Sequence, residues 1–146
     1  MSWFPKKTVV VPIDFSAASD EAIQTALEVT RRPEEVHVVH IALIPNFLPY
    51  AGEVVANVEP QRWLHLAKTH LADYLKSRPQ FAGVNSIVLE GDAGSRISEY
   101  ATEKHADLIV MPSHGYHGVK RFLLGSVAEL VLRHAPCEVL ILRRRD

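Results

Sequence analysis

Three glycines that follow the fourth apolar run of the chain are the feature of the sequence most suggestive of chemistry. The segment 111–126 reads Met-Pro-Ser-His-Gly-Tyr-His-Gly-Val-Lys-Arg-Phe-Leu-Leu-Gly-Ser. Gly115, Gly118 and Gly125 allow the backbone to turn tightly and to bring its N–H groups close to an anion. A helix predicted to begin near Ser126 adds free amide groups and a partial positive charge. This combination favours a phosphate-binding site.

The same segment also admits a purely structural interpretation. Glycines shape turns, and the residues Ser126-Val127-Ala128-Glu129 fit the capping box of a helix N-terminus. The two interpretations are compatible, because a capping serine still presents its own amide to an anion. Lys120 and Arg121 lie in the same segment and can add charge-assisted contacts to a phosphate.

Two common nucleotide-binding motifs are missing from the chain. The sequence contains no GxxxxGK[ST] pattern, and its first apolar run is not followed by GxGxxG. These absences exclude a P-loop and disfavour a dinucleotide-binding fold. An anion site must therefore depend on the glycine segment that follows the fourth run.

Asp14 is a second candidate for a binding residue. It directly follows the apolar run 8–13, which has hardly any polar alternation and predicts a strand covered on both faces. Because parallel strands end at one edge of a sheet, we expect Asp14 on the same rim as Gly115. A carboxylate just before a helix also stabilises the helix N-terminus, and this remains the structural alternative.

Histidine and cysteine offer weaker candidates for metal binding or catalysis. His114 and His117 flank a glycine in a predicted loop, with no cysteine or carboxylate in a recognisable ligand array. His37 and His40 are three apart in a predicted strand, so they are expected on opposite faces. We therefore predict no metal site. Cys137 is the single cysteine and is expected to behave as a small apolar residue rather than as a catalytic thiol.

Five apolar runs alternate with helical patterns and define the expected fold class. The runs are 8–13, 36–43, 86–89, 108–111 and 138–142, and the clearest helix lies between Pro60 and Pro79. Strands alternating with helices require right-handed crossovers. We predict an α/β fold: a single doubly wound, open, parallel five-stranded sheet with helices on both faces. The stretch from Pro45 to Pro60 has no clear period, and connections of that length are usually functional or mobile.

Composition and charge limit the classes of function. The chain has 146 residues, of which 47% are hydrophobic, and 16 basic against 17 acidic groups leave a net charge of -1. This balance argues against nucleic-acid binding by bulk charge, and the arginines at 143–145 are expected to be solvated. No stretch has 18 unbroken apolar residues, and the N-terminus lacks the apolar run of a signal peptide. We therefore expect one cytoplasmic domain over residues 1–146 that contacts no membrane.

The chain resembles the universal stress protein family, and the resemblance is carried mainly by the glycine segment. The nucleotide-binding branch of that family has G-x2-G-x9-G-[ST], which Gly115, Gly118, Gly125 and Ser126 match. The similarity extends over nearly the whole chain outside the Pro45–Pro60 insert. Its other segments are 10–16, 39–41, 90–92, 106–111 and 137–142.

The resemblance implies a Rossmann-like fold of the adenine nucleotide α-hydrolase type, with ATP held between strands one and four. It assigns Asp14 to a contact with the adenine and Ile41 to the wall of the adenine pocket. The positions that it implies for the ribose and phosphates are Gly115, Gly118, Gly125, Ser126 and Val127, and the remaining implied nucleotide-binding positions are Pro12, Met111 and Ser113. Mg²⁺ is expected to accompany the ATP.

The chain departs from the family pattern at two positions. Family members usually have Met-Gly-[ST] where this chain has Met111-Pro112-Ser113, and Pro112 has no N–H to give to a ligand. They also commonly have proline where Glu138 stands. The first departure concerns one contact to the ribose or phosphates, and the second is expected to matter little.

Three functions follow from the resemblance and the residues together. The leading prediction is a stress-response or signalling module that binds ATP as a homodimer, paired through the last strand, Val139–Leu142. An enzyme with slow ATP hydrolysis or self-phosphorylation, with Ser126 as the candidate acceptor, is the first alternative, although His114 and His117 are the only obvious general bases near the phosphate region. A nucleotide-free interaction protein, whose site Pro112 has spoiled, is the second.

Overall fold

The computed structural model describes residues 3–42, 59–113 and 125–143. Within these ranges the chain alternates strand and helix from beginning to end, as the sequence predicts. The strands and α-helices in chain order are β1 (Val9–Ile13), α1 (Ala17–Val29), β2 (Val36–Ala42), α2 (Pro60–Lys76), β3 (Asn85–Glu90), α3 (Ala93–Glu103), β4 (Leu108–Pro112), α4 (Ser126–His134) and β5 (Glu138–Leu142). Short 3₁₀ turns precede β2 and β3 at Pro33–Glu35 and Pro79–Phe81.

All five strands form one parallel sheet in the order β3-β2-β1-β4-β5. The chain winds outward from β1 to β3, then returns to the other side of β1 and winds outward to β5. This order confirms the predicted doubly wound α/β fold. It also makes the boundary between β1 and β4 the point at which the direction of winding changes.

Side chains on alternate positions of the strands build two separate cores. On one face, Val9, Val11 and Ile13 pack against α1 and α2. On the other face, Val10 and Ile109 pack among residues of α3 and α4. Every residue of β1 is buried, because helices cover both faces of the sheet there. This is why the sequence of β1 has no polar alternation.

The helices keep their apolar stripes against the sheet. In α1 the buried apolar residues are Ala22, Ile23 and Ala26, and in α3 they include Ile97 and Ala101. Removing a side chain as large as Ile23 from water stabilises the fold by about 1.5–3 kcal/mol. Among the described helices none is long and apolar enough to cross a membrane.

Candidate functional site

The candidate site lies where the carboxyl ends of β1 and β4 meet. In open α/β sheets a crevice forms at the point where the winding reverses, because the loops that leave the two strands go to opposite faces. Here Asp14 directly follows β1 and Ser113 directly follows β4. The predicted binding residues at the two strand ends are therefore brought to one rim of the sheet.

The two strands that border the crevice are paired only at their amino ends. The β1–β4 ladder contains the pairs Val9↔Leu108 and Val10↔Ile109, whereas β1 pairs with β2 over all five of its residues. The carboxyl halves of β1 and β4 therefore lie side by side without ladder pairing. Pro12 contributes to this, because it has no N–H to donate toward the neighbouring strand.

Asp14 is held by the first turn of α1. Its Oδ1 accepts a hydrogen bond from the amide of Ser16 at 3.1 Å and another from the hydroxyl of Ser19 at 2.9 Å. The amide of Asp14 in turn donates to Ser19 Oγ at 3.0 Å. Ser19 is fully buried. The carboxylate thus supports the helix start, as the structural alternative proposed, and the same contacts fix its position at the rim.

Phe15 follows Asp14 at the rim, and its backbone adopts a left-handed conformation that the sequence did not reveal. Its φ is 66°, in the left-handed region that residues other than glycine rarely adopt. Its ring stacks on His70 of α2 with a centroid distance of 4.1 Å and an interplanar angle of 16°. It also lies 4.5 Å from the ring of His40. These ring contacts stabilise the backbone turn that follows Asp14.

His40 links the end of β1 to β2. Its Nδ1 lies 3.1 Å from the carbonyl oxygen of Ile13, so Nδ1 carries the proton and donates. Burial lowers the pKa of His40, and the carbonyl of Ile13 opposes this effect only in part. His40 is therefore a neutral donor that holds the residue immediately before Asp14.

His37 and His40 lie on opposite faces of β2, as predicted. His37 Nδ1 is 3.0 Å from the hydroxyl of Tyr100 in α3, whereas His40 faces Phe15 on the other side. Among the residues that the structure describes, no three histidine, cysteine or acidic side chains are grouped so as to hold a metal ion. His114 and His117 fall outside those residues.

Ile41 and Met111 lie on the face of the sheet that α3 and α4 cover. Met111 is buried in the core on that face, and the half-buried Ile41 packs against the same core from the carboxyl end of β2. Both positions are apolar and near the rim, so both can contribute to the wall of a pocket for a planar base. Their roles as nucleotide contacts stay predictions.

Ser113 and Gly125 flank residues 114–124 of the glycine segment and are hydrogen-bonded to each other. The amide of Gly125 donates to the carbonyl oxygen of Ser113 at 2.8 Å, and the amide of Ser113 donates to the carbonyl oxygen of Leu142 at 3.0 Å. Ser113 is 7% exposed. The predicted phosphate residues Gly115 and Gly118, together with Lys120 and Arg121, lie outside the described residues.

The start of α4 differs from the capping box that the sequence indicated. Gly125 occupies the N-cap position, and the first bond of the helix runs from the amide of Glu129 to the carbonyl oxygen of Gly125. Ser126 is the first helical residue and is therefore not the cap, so that interpretation was wrong. The amides of Ser126 and Val127 precede the first helical bond, which leaves them in the position where helices bind anions.

Cys137 lies at the opposite, amino end of the sheet. It is a free, half-buried cysteine just before β5. Burial and the nearby carboxylates of Glu138 and Asp107 raise the pKa of its thiol to about 11. The thiolate is therefore scarce at neutral pH, which agrees with the expectation that Cys137 is not a nucleophile.

Sequence reasoning missed the aromatic support of the rim. Phe15, His70 and Ser19 were not among the predicted site residues, although they position Asp14 through contacts described above. Their roles depend on contacts between residues far apart in the chain, such as Phe15 with His70. His40 offered a partial signal, because His37 and His40 are the polar residues in the otherwise apolar run of β2.

Comparison with known proteins identifies the family of this chain. The sequence pattern that defines the universal stress protein family matches residues 6–143 of this chain. A universal stress protein of Methanocaldococcus jannaschii is 33% identical over 145 residues, covering 94% of this chain and 82% of that protein.

Solved structures of universal stress proteins share the fold. The structure of UspA from Lactobacillus plantarum superposes with a TM-score of 0.72 at 23% identity, covering 94% of this chain and 99% of that one. A universal stress protein in complex with cAMP superposes with a TM-score of 0.61 at 22% identity, covering 97% and 99% of the two chains.

Proposed function

This chain belongs to the universal stress protein family, and from that premise we propose that it binds an adenine nucleotide, ATP together with Mg²⁺, in the crevice between β1 and β4. The observation that carries the proposal is the early end of the β1–β4 ladder at the point where the winding reverses. A solved member of the family holds cAMP, which is itself an adenine nucleotide.

The residues around the crevice suit the separate parts of ATP. Ile41 and Met111 supply apolar surface for the base, and Asp14 supplies a fixed carboxylate at the end of β1. The amides of Ser126 and Val127 open α4 and suit the negative charge of a phosphate. Pro12, Ser113, Gly115, Gly118 and Gly125 complete the proposed set.

The charge of a triphosphate must be neutralised locally, because the net charge of the whole chain is -1. Lys120 and Arg121 are the basic residues of the glycine segment, and we assign them to this role. A bound Mg²⁺ would supply the remaining positive charge on the phosphate oxygens.

We further propose that the protein is a homodimer paired through β5. This strand is at an edge of the sheet, with β4 on one side and no other described strand on the other. Its residues Val139–Leu142 are half-buried rather than exposed. An edge of this kind pairs readily with another chain unless something covers it. The molecule would then act as one cytoplasmic stress-response or signalling domain over residues 1–146.

Nucleotide binding is tested by denaturing the purified protein, identifying any small molecule that is released, and titrating ATP into the emptied protein. At about 100 times its Kd, ATP should stabilise the fold by roughly 2.7 kcal/mol. Release of no nucleotide together with no stabilisation by ATP or AMP would contradict the proposal. Following phosphate release over hours decides whether hydrolysis, with or without Ser126, occurs as well.

A matched pair of variants tests the site itself. Asp14→Asn removes the charge at the crevice while keeping the shape of the side chain, and we expect it to weaken ATP binding. Asp73→Asn makes the same change on an exposed position of α2 and should bind ATP as the wild type does. Equal affinity of the two variants would remove Asp14 from the site.

The dimer is tested by removing one outward-facing amide. The bond from Ser113 to Leu142 shows that Leu142 turns its backbone toward β4, so Ile141 turns its backbone to the free edge. Ile141→Pro therefore removes a donor from the edge and leaves the β4 ladder intact. We expect monomers by light scattering for Ile141→Pro and dimers for Ile141→Val. A dimeric Ile141→Pro variant would argue against pairing through β5.

A further inference from the structure

The edge strand β5 has opposite charges at its two ends. Glu138 is exposed at its amino end, and three arginines at 143–145 follow its carboxyl end. Between them lie the four half-buried apolar residues 139–142. Strands that pair antiparallel bring the amino end of one beside the carboxyl end of the other. Two copies of β5 paired in this way would therefore place Glu138 of each copy near the arginines of the other.

Two-fold symmetry makes the pairing of two β5 strands antiparallel. In a closed dimer of identical chains, each contact of residue i with residue j is matched by a contact of j with i. In a parallel ladder the two strands make different sets of slanted bonds, so two equivalent copies of one strand do not form it. An antiparallel pair meets the condition. Its charged ends then meet twice, once on each side of the axis.

The backbone of β5 limits which residues lie opposite each other. Leu142 accepts the amide of Ser113 at 3.0 Å and therefore faces β4, so Val139 and Ile141 turn their amides and carbonyls to the free edge. In an antiparallel ladder, residues that exchange both bonds lie directly opposite one another. Two registers keep the apolar residues of the two copies together. Ile141 lies opposite Val139 of the other copy in one register and opposite its own counterpart in the other.

Both registers bring Glu138 to the same arginine of the other copy. Side chains two positions apart share a face of a strand, so Glu138 belongs to the row of Leu140 and Leu142, which pack against the core on the side of α1 and α2. Arg144, just beyond the described residues, continues this row if the strand is extended by two positions. It then lies directly opposite Glu138 in one register and diagonal to it in the other, and long side chains reach across either spacing.

The surroundings of Glu138 on the side of β4 suit a guanidinium. Beside it is an open cavity of about 580 Å³, whose lining includes Asp107 and Cys137. Beyond the effect of burial, the carboxylates of Glu138 and Asp107 raise the pKa of the Cys137 thiol, whereas Lys6 lowers it. The ammonium of Lys6 lies over the ring of Trp3, 3.9 Å from the ring centre. An arginine that reaches Glu138 therefore enters a region with two carboxylates.

We propose that this chain recognises a second copy of itself through two contacts between Glu138 and Arg144, one on each side of the two-fold axis. The inference rests on the proposed homodimer and adds the residues that select its partner. Members of the family commonly have proline where Glu138 stands, and proline offers no carboxylate to an arginine. Such a chain would pair with this one less well, because specificity is a difference between the affinities for two partners.

A charge reversal divided between two variants tests this pairing. Glu138→Arg leaves arginine at both positions and Arg144→Glu leaves glutamate at both, so each variant sets like charges against each other in its own dimer. We expect each variant alone to dimerise about tenfold or more weakly than the wild type. Mixed in equal amounts, the two should form heterodimers with nearly wild-type affinity, because both contacts are again between opposite charges. Analytical ultracentrifugation and mass spectrometry of the intact mixture measure both effects.

Two further variants serve as controls. Glu90→Arg reverses an exposed glutamate on the opposite edge strand, β3, and should dimerise as the wild type does. Glu138→Gln removes the charge without reversing it, so its dimer should weaken less with added salt than the wild-type dimer.

Three results would overturn the inference while leaving a dimer through β5 in place. These are unchanged dimerisation of Glu138→Arg and Arg144→Glu, a mixture of the two that forms no heterodimers, and equal salt dependence of the wild type and Glu138→Gln. A wild type that stays monomeric at every concentration would instead overturn the proposed homodimer itself.

Discussion

The amide of Gly125 donates a hydrogen bond to the carbonyl oxygen of Ser113 at 2.8 Å, which joins the two ends of the glycine segment. Ser113 is the residue after β4, and Gly125 is the N-cap of α4. The two residues that flank segment 114–124 are therefore hydrogen-bonded to each other. Because Ser113 also bonds to Leu142 of β5, this pair is anchored to the edge of the sheet.

Gly125→Pro removes this closing bond by deleting its donor. The φ of -65° at Gly125 is the value that proline requires, but the proline ring replaces the amide hydrogen and therefore presses against the carbonyl oxygen of Ser113. We expect Gly125→Pro to unfold with about 1 kcal/mol less free energy than Gly125→Ala, which keeps the amide, and to bind ATP more weakly. Urea unfolding and ATP titration measure both effects. Equal stability of the two variants would show that the bond is not needed.

Ser19 and Ser16 provide a matched pair at the other side of the crevice. Ser19→Ala removes the hydroxyl that bonds both the amide and the carboxylate of Asp14 inside the protein. Leaving the partly buried amide of Asp14 without this partner costs about 1 kcal/mol or more of unfolding free energy. Ser16 sits at the N-cap of α1 but makes no side-chain capping bond, so Ser16→Ala should change stability by about 0.5 kcal/mol or less. The prediction fails if denaturant unfolding finds the two variants equally stable.

Gly94 lies where α3 packs closely on α4. A Cβ at this position would lie 2.7 Å from the Cβ of Leu130 and 2.9 Å from its Cδ1. We expect Gly94→Ala to lower the free energy of unfolding by about 1–3 kcal/mol, partly offset by the better helix propensity of alanine.

The double variant Gly94→Ala with Leu130→Ala is the control for this clash. Truncating Leu130 removes the atoms that the new methyl group would meet, so Gly94→Ala should cost less in that background. A double-mutant cycle by urea unfolding measures the difference. Strictly additive effects would mean that the helices simply shift apart.

Stability should decline in mild acid because of His40. Burial lowers its pKa in the folded protein, so the folded state resists the proton that the unfolded chain accepts. The stability that neutral His40 contributes is complete above its unfolded pKa, about 6.5, and is lost as the pH falls below that value. Toward alkaline pH, His40 is neutral in both the folded and the unfolded state, so it does not change the free energy of unfolding there.

His40→Asn isolates this contribution. The amide of asparagine can still donate toward Ile13, but it does not titrate. We expect the wild type to lose more unfolding free energy than His40→Asn between pH 7.5 and pH 5.5. His37, whose pKa burial also lowers, remains in both proteins and contributes equally to each. Parallel pH profiles for the two proteins would exclude His40 as the source.

The sequence alone determined the order of the elements and the class of fold. Uninterrupted apolar runs such as Val9–Ile13 identified strands covered on both faces, and the helical stripe of α2 identified the clearest helix. These features depend on the period of nearby residues, which is visible in the chain itself. The glycine spacing and the family resemblance likewise needed no coordinates.

The tertiary structure decided how the rim is built. A capping box is a local pattern, yet Gly125 rather than Ser126 caps α4, because the bond from Gly125 to Ser113 sets where the helix begins. The left-handed turn at Phe15 depends on a ring from α2, and the early end of the β1–β4 ladder depends on strand order and register. Such contacts join residues far apart in the chain, and only the packed sheet fixes which of them meet.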